Sequence, residues 1–270
     1  MSSLDASNPG VASDHTPRLS RCDIRTSSQW MRLLLGLCIV FAVFQWSAVT
    51  LGSDRGQAGL VVGALVVAAT FSVERLLFEQ RFLSTVAALG LGRPRVVGLA
   101  VAGGICLLLV IGVLLFLRST GTSAAVASDA LLLAPGLFAQ AGVAEEVLFR
   151  GYLFGRLRRG RSFWRAAWLS MIPFVGVHLL LFFTMPLPVA LAALLLSAVL
   201  SFPLAHLFEL GGGTIWPAAL LHFVVQGTVK VLVMSGPASS RFPFVWIALS
   251  AVLPMLAFVV SRPQPRWRAR

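Results

Sequence analysis

Three stretches of this chain place polar side chains at helical spacing inside otherwise apolar runs. The first reads Ala144-Glu145-Glu146-Val147-Leu148-Phe149-Arg150, the second Phe174-Val175-Gly176-Val177-His178, and the third His222-Phe223-Val224-Val225-Gln226. On an α-helix Glu146 and Arg150 stand one turn apart and can pair, whereas Glu145 projects about 100° away and is left without a local partner. Phe174 and His178 share one face by the same rule, and so do His222 and Gln226. A carboxylate beside two imidazoles is a set of groups suited to hydrolysis, with a base to activate water and donors to hold a developing oxyanion. The plainer reading remains open for several of them: Glu146 with Arg150 as a structural ion pair, and a lone histidine as an interhelical hydrogen-bonding residue.

The elements that must position these groups are set by composition. Of 270 residues, 57% are hydrophobic and only 12% charged, with a mean hydropathy of +0.87, where a soluble domain carries about 25% charged residues. A water-soluble globule is excluded. The apolar residues come in blocks of roughly 20, the length a bilayer core requires of a helix. Eight such blocks lie at about 33–52, 57–77, 97–117, 130–155, 164–184, 187–208, 214–234 and 243–261. The expectation is an all-α polytopic membrane protein of about eight transmembrane helices. Each ionisable residue inside a span costs roughly 2.5–3.5 kcal/mol on insertion scales and so needs a partner or a purpose. The first three spans hold none in their interiors, which directs attention to the second half of the chain.

The net charge of +12 follows from topology. Seventeen arginines fall in the N-terminal tail, the second and fourth loops and the C-terminus, against three in the alternate loops (Arg55, Arg118, Arg241). Arg150 and Lys230 lie within spans. This alternation predicts an even number of crossings with both termini cytoplasmic, and it removes the reason to invoke nucleic acid. The division expected is a disordered tail over 1–30, three helices and an interfacial amphipathic segment (78–96) within 31–128, a catalytic helix core over 129–235, and a final helix with a basic tail over 236–270. His206 and Glu209 read as a structural pair, and Lys230 as a residue snorkelling to the interface. The three cysteines have no paired spacing, so no disulfide framework is expected.

The order Glu-Glu-x-x-x-Arg, Phe-x-x-x-His and Ile-Trp-Pro-Ala-x-x-x-His, spread over successive helices of about 130–230, resembles the CAAX protease and bacteriocin-processing family, which includes type II CAAX prenyl endopeptidases. The resemblance implies that Glu145 and His178 activate the attacking water, that His222 stabilises the oxyanion, and that Glu146, Arg150 and Phe174 support them. Gln226 stands where the family usually has Asn. It keeps the amide donor on a stem one methylene longer.

The reading is therefore an intramembrane endopeptidase acting on a membrane-associated or prenylated-type peptide at a bilayer, in the inner (plasma) membrane of a bacterium. Zinc on Glu145, His178 and His222 is compatible with the donor types, but a metal-free mechanism is preferred because the chain has no His-Glu-x-x-His helix. Two alternatives from other classes are a catalytically weak immunity or peptide-binding protein on the same fold, and a proton-coupled transporter.

Overall fold

The computed structural model describes residue 24 and residues 26–51 and 56–261. Most of the expected N-terminal tail, Cys22, Arg55 and the arginines beyond residue 261 lie outside them. The tail's expected boundary at 30 moves, because Thr26 caps the first helix. Its side chain accepts from the Gln29 backbone N–H and the Gln29 side chain returns the bond, a reciprocal capping box. Helix α1 therefore begins at Ser27 and runs Ser27–Thr50; α2 is Gln57–Phe78, α3 Phe82–Ala88 and α4 Val96–Thr120. A four-residue strand β1 (Ser123–Val126) precedes the long helix α5 (Ala130–Arg158). Then come α6 (Phe163–Phe183), α7 (Leu187–Leu210), α8 (Trp216–Val231), strand β2 (Leu232–Ser235) and α9 (Ser239–Val259).

Seven of these helices are long and apolar enough to cross a membrane, and the protein is an all-α polytopic membrane protein apart from one small ladder. The exception to the expected eight is α8. Its 16 residues extend about 24 Å, short of the roughly 30 Å hydrocarbon layer. The predicted span 214–234 is cut at its start by the turn Gly211-Gly212-Gly213, where Gly212 and Gly213 both hold φ +82. At its end the chain straightens into β2, which pairs antiparallel with β1, Ser123 opposite Ser235 and Val126 opposite Leu232. Helix and strand together still carry the chain from one end of the bundle to the other.

Contacts fix which elements share an end. Arg161 donates to the Ile24 carbonyl at 2.7 Å, Arg158 pairs with Glu209, the Arg95 N–H bonds to Gly211 O at 3.0 Å, and His206 Nε2 lies 3.0 Å from Val260 O. The start of α1, the end of α5, the turn before α8 and the end of α9 therefore meet at one arginine-rich end. The β1–β2 ladder marks the other.

Two expectations change here. Arg156 and Arg158 belong to the last turn of α5, not to a solvated loop, and both are buried. The first three helices do hold a buried charge, because Glu74 of α2 is fully buried and ion-paired to Arg156, whose Nε lies 3.0 Å from Glu74 Oε2. Glu209 pairs with Arg158 across helices and His206 reaches Val260.

In the first half of segment 78–96, Phe82 and Leu83 of α3 are exposed. The second half turns inward. Leu89 is fully buried, and its carbonyl lies so close to α5 that a Cβ on Gly151 would meet it at 2.2 Å. Gly90 O accepts from the Ile215 N–H at 3.0 Å and Gly92 O from Trp216 Nε1 at 2.8 Å. The segment thus ties α5 to the start of α8.

Apolar packing falls into two clusters. One joins α1, α2, the second half of α5 and α6; the other joins α4, α7, α8 and α9. Ala144 and Val147, flanking the two glutamates, belong to the first, and Leu221 and Val225, flanking His222, to the second. The polar groups meet where the two clusters meet.

Candidate active site

Helix α5 is not wound uniformly. Phe138–Ala144 and Val147–Phe154 form π-helical turns on either side of Glu145 and Glu146. Closing each backbone bond over five residues rotates successive side chains by less than the α-helical 100°. Glu145 and Glu146 themselves keep α-helical backbone angles between these turns. Glu146 Oε1 lies 2.7 Å from His222 Nδ1, and Glu145 Oε2 lies 3.8 Å from Nε2 of the same ring. Glu145 thus faces the same histidine ring that its neighbour holds.

Glu146 is the buried hub. It is fully buried and accepts on one oxygen from both His222 Nδ1 and Arg150 Nη1, the latter at 3.1 Å. The expected one-turn pairing of Glu146 with Arg150 is present. Arg150 also lies over the Phe174 ring, 4.2 Å from its centroid. Phe174, 98% buried, is an aromatic post shared by the site: its ring is 5.0 Å from that of His178 and 6.2 Å from that of His222, both edge-on.

Hydrogen bonds assign the tautomers. Lys230 Nζ lies 3.3 Å from one amide atom of Gln226. An ammonium only donates, so that atom is the oxygen. The amide nitrogen then faces His222 Nε2 at 2.9 Å, which makes Nε2 an acceptor and puts the ring proton on Nδ1, donated to Glu146. His222, Gln226 and Lys230 are thus three rungs on one face of α8, each four residues from the next. In this state His222 Nε2 does not point a proton at substrate, and the donor left over is the second hydrogen of the Gln226 amide. Lys230, read from sequence as snorkelling, is a member of the polar array; the recurrence of polar residues at 222, 226 and 230 was the available signal.

His178 sits at the end of the α-helical part of α6. Its Nδ1 lies 2.7 Å from the Phe174 carbonyl, to which it donates, and Nε2 is left as an acceptor. It interacts electrostatically with Glu145 and His222. Glu145 keeps 13% of its side chain exposed, where that of His222 keeps 3% and that of Glu146 none. It is the carboxylate most open to an incoming molecule.

The donor set does not fit the zinc arrangement considered from sequence. Among the described residues no three His, Cys, Asp or Glu side chains are grouped to hold a metal ion, and both nitrogens of His222 are engaged, one with Glu146 and one with the Gln226 amide.

Residues 127–228 match the family model described as type II CAAX prenyl endopeptidase, Rce1-like. That stretch holds all seven of the residues named above from the motifs. No curated protein matches the chain.

Proposed function

We propose that the helical core of this chain, whose residues 127–228 match the type II CAAX prenyl endopeptidase, Rce1-like family model, hydrolyses a peptide bond of a membrane-associated substrate with a water activated by Glu145 and His178. The observation that carries the proposal is the pair of acceptors, the Glu145 carboxylate and His178 Nε2, beside a His222–Gln226 unit with one unused amide hydrogen. A water donating one hydrogen to each acceptor directs its own lone pair at a carbonyl presented from the bilayer. Glu145 takes the proton as the C–O bond forms, and the negative charge moves to the carbonyl oxygen. The free N–H of Gln226 bonds that oxygen, a contact stronger in the transition state than before it. On collapse the C–N bond breaks and Glu145 returns its proton to the leaving amine, so that one water is consumed and carboxylate and amine are released. Glu146 and Arg150 hold the His222 ring in the tautomer that receives Gln226, and Phe174 fixes both imidazoles against α5.

The test uses purified full-length protein in lipid nanodiscs with quenched membrane-anchored peptides, one set prenylated and one carrying only an acyl chain. Cleavage by the parent, lost in Glu145→Ala and in His178→Ala while peptide binding persists, supports the proposal. Peptide binding without cleavage by the parent supports the immunity or peptide-binding alternative. Comparing the two anchors assigns the substrate class.

A further inference from the structure

Lys230 is the one member of the polar array for which the hydrolytic motifs have no place. It is half-buried near the end of α8, one turn beyond Gln226 and two beyond His222. The Gln226 side chain spans both neighbours at once, reaching back one turn to His222 at 2.9 Å and forward one turn to Lys230 at 3.3 Å. An asparagine stem, one methylene shorter, does not bridge two turns in this way. Replacing Asn by Gln and placing a cation at the next turn are therefore complementary features.

We propose that Lys230 is a positioning residue: by donating to Gln226 Oε1 it fixes the amide orientation, and through the amide it fixes the His222 tautomer. The inference rests on the hydrolytic reading for its effect on rate, but not for its effect on the ring. The chain of consequence is short. A primary amide has two orientations of nearly equal shape and opposite hydrogen-bonding character. Turned over, Gln226 presents an oxygen to His222 Nε2, which for the neutral ring is tolerable only if the proton moves to Nε2. Nδ1 then faces the buried Glu146 oxygen with a bare lone pair. The ammonium selects against this arrangement because an amide N–H2 cannot accept from it. The same bond draws electron density toward Oε1 and strengthens the opposite N–H2 as a donor. That is the group which meets the oxyanion.

The test has two readouts on the full-length protein in nanodiscs. Long-range proton–nitrogen NMR of a histidine-labelled sample distinguishes the tautomers of the four histidines, with His222 assigned by substituting the other three. The parent is expected to show His222 protonated at Nδ1. Lys230→Arg keeps the donors and the tautomer, and Lys230→Met, which keeps the stem but no donor, shifts the ring toward Nε2–H. Gln226→Glu, which can only accept, is expected to protonate Nε2 outright. In peptide cleavage Lys230→Met lowers kcat by about 10- to 100-fold with KM little changed, and Lys230→Arg restores most of it.

An unchanged ring in Lys230→Met or in Gln226→Glu overturns the proposal. So does an unchanged kcat in Lys230→Met, or equal losses in the Met and Arg variants. A parent that cleaves nothing refutes the hydrolytic reading instead, and the tautomer measurement then decides the positioning role alone.

Discussion

Replacing either partner of the Glu74–Arg156 pair by methionine is expected to destabilise the protein severely, and replacing both is not. The pair joins α2 to the last turn of α5, with Glu74 fully buried and Arg156 only 1% exposed. The guanidinium carbon lies 3.3 Å from the centroid of the Phe78 ring. Glu74 Oε1 and Arg156 Nη1 have no hydrogen-bond partner, so part of the desolvation cost of both charges is not offset even in the native protein. Glu74→Met leaves a buried guanidinium without its counter-charge, and Arg156→Met leaves a buried carboxylate. Each single change should cost about 3–5 kcal/mol, a shift of roughly 10²- to 10⁴-fold in the unfolding equilibrium. The double variant removes both charges and puts thioethers against Phe78 and Tyr152, where sulfur–aromatic contact is favourable. It should match or exceed the parent. The assay is a double-mutant cycle in mixed micelles of increasing SDS content, followed by the fluorescence of the seven tryptophans. Two results refute the reasoning: single variants costing under about 1 kcal/mol, as a solvated pair would, or a double variant whose loss is the sum of the two.

Three other outcomes are expected. Gln226→Ala should lower kcat by about 100- to 1,000-fold, the usual loss of one oxyanion donor, and Gln226→Asn should recover only part of it because the shorter amide cannot serve His222 and Lys230 together; full activity in the alanine variant makes Gln226 a packing residue. Gly151→Ala drives a methyl into the Leu89 carbonyl at 2.2 Å and should cost about 1–3 kcal/mol or more, whereas Gly104→Ala in α4, with nothing within 4 Å, should be neutral or slightly stabilising; equal effects would remove the close approach of segment 89–92 to α5. Exhaustive chelation should leave peptide cleavage intact, measured at constant lipid and peptide; a loss that zinc restores would reverse the choice of a water activated by side chains alone.

The membrane class and the one-turn pairing of Glu146 with Arg150 were legible because each depends on local sequence: block length and helical spacing. What was missed depends on partners far along the chain or on winding. Arg156 lies in a run of arginines that reads as a solvated loop, and its partner is 82 residues away. Composition does not encode the π-turns on either side of the two glutamates, and the histidine that Glu145 faces lies on another helix far along the chain. Strand β1 has the sequence Ser-Ala-Ala-Val, with all four residues exposed, so no alternation of burial announces it. The Gln226 contact of Lys230 was missed for a different reason: a cation near a helix end satisfies the snorkelling rule whether or not it also has a partner inside.

The ladder that completes the short eighth helix also makes the protein a reporter of its own surroundings. Ser123 and Ser235 are opposed across β1 and β2, with their hydroxyls 2.9 Å apart, and both belong to the end remote from the arginines. If that end faces out of the cell, it lies in an oxidising compartment and the arginine-rich end in a reducing one. Cysteines at 123 and 235, in a chain whose three native cysteines are replaced by alanine, would then close into a bridge during biogenesis with no oxidant added, and would remain open thiols in the opposite orientation. A gel-mobility difference before and after reduction thus reads the sidedness of the whole molecule from a single pair of facing serines.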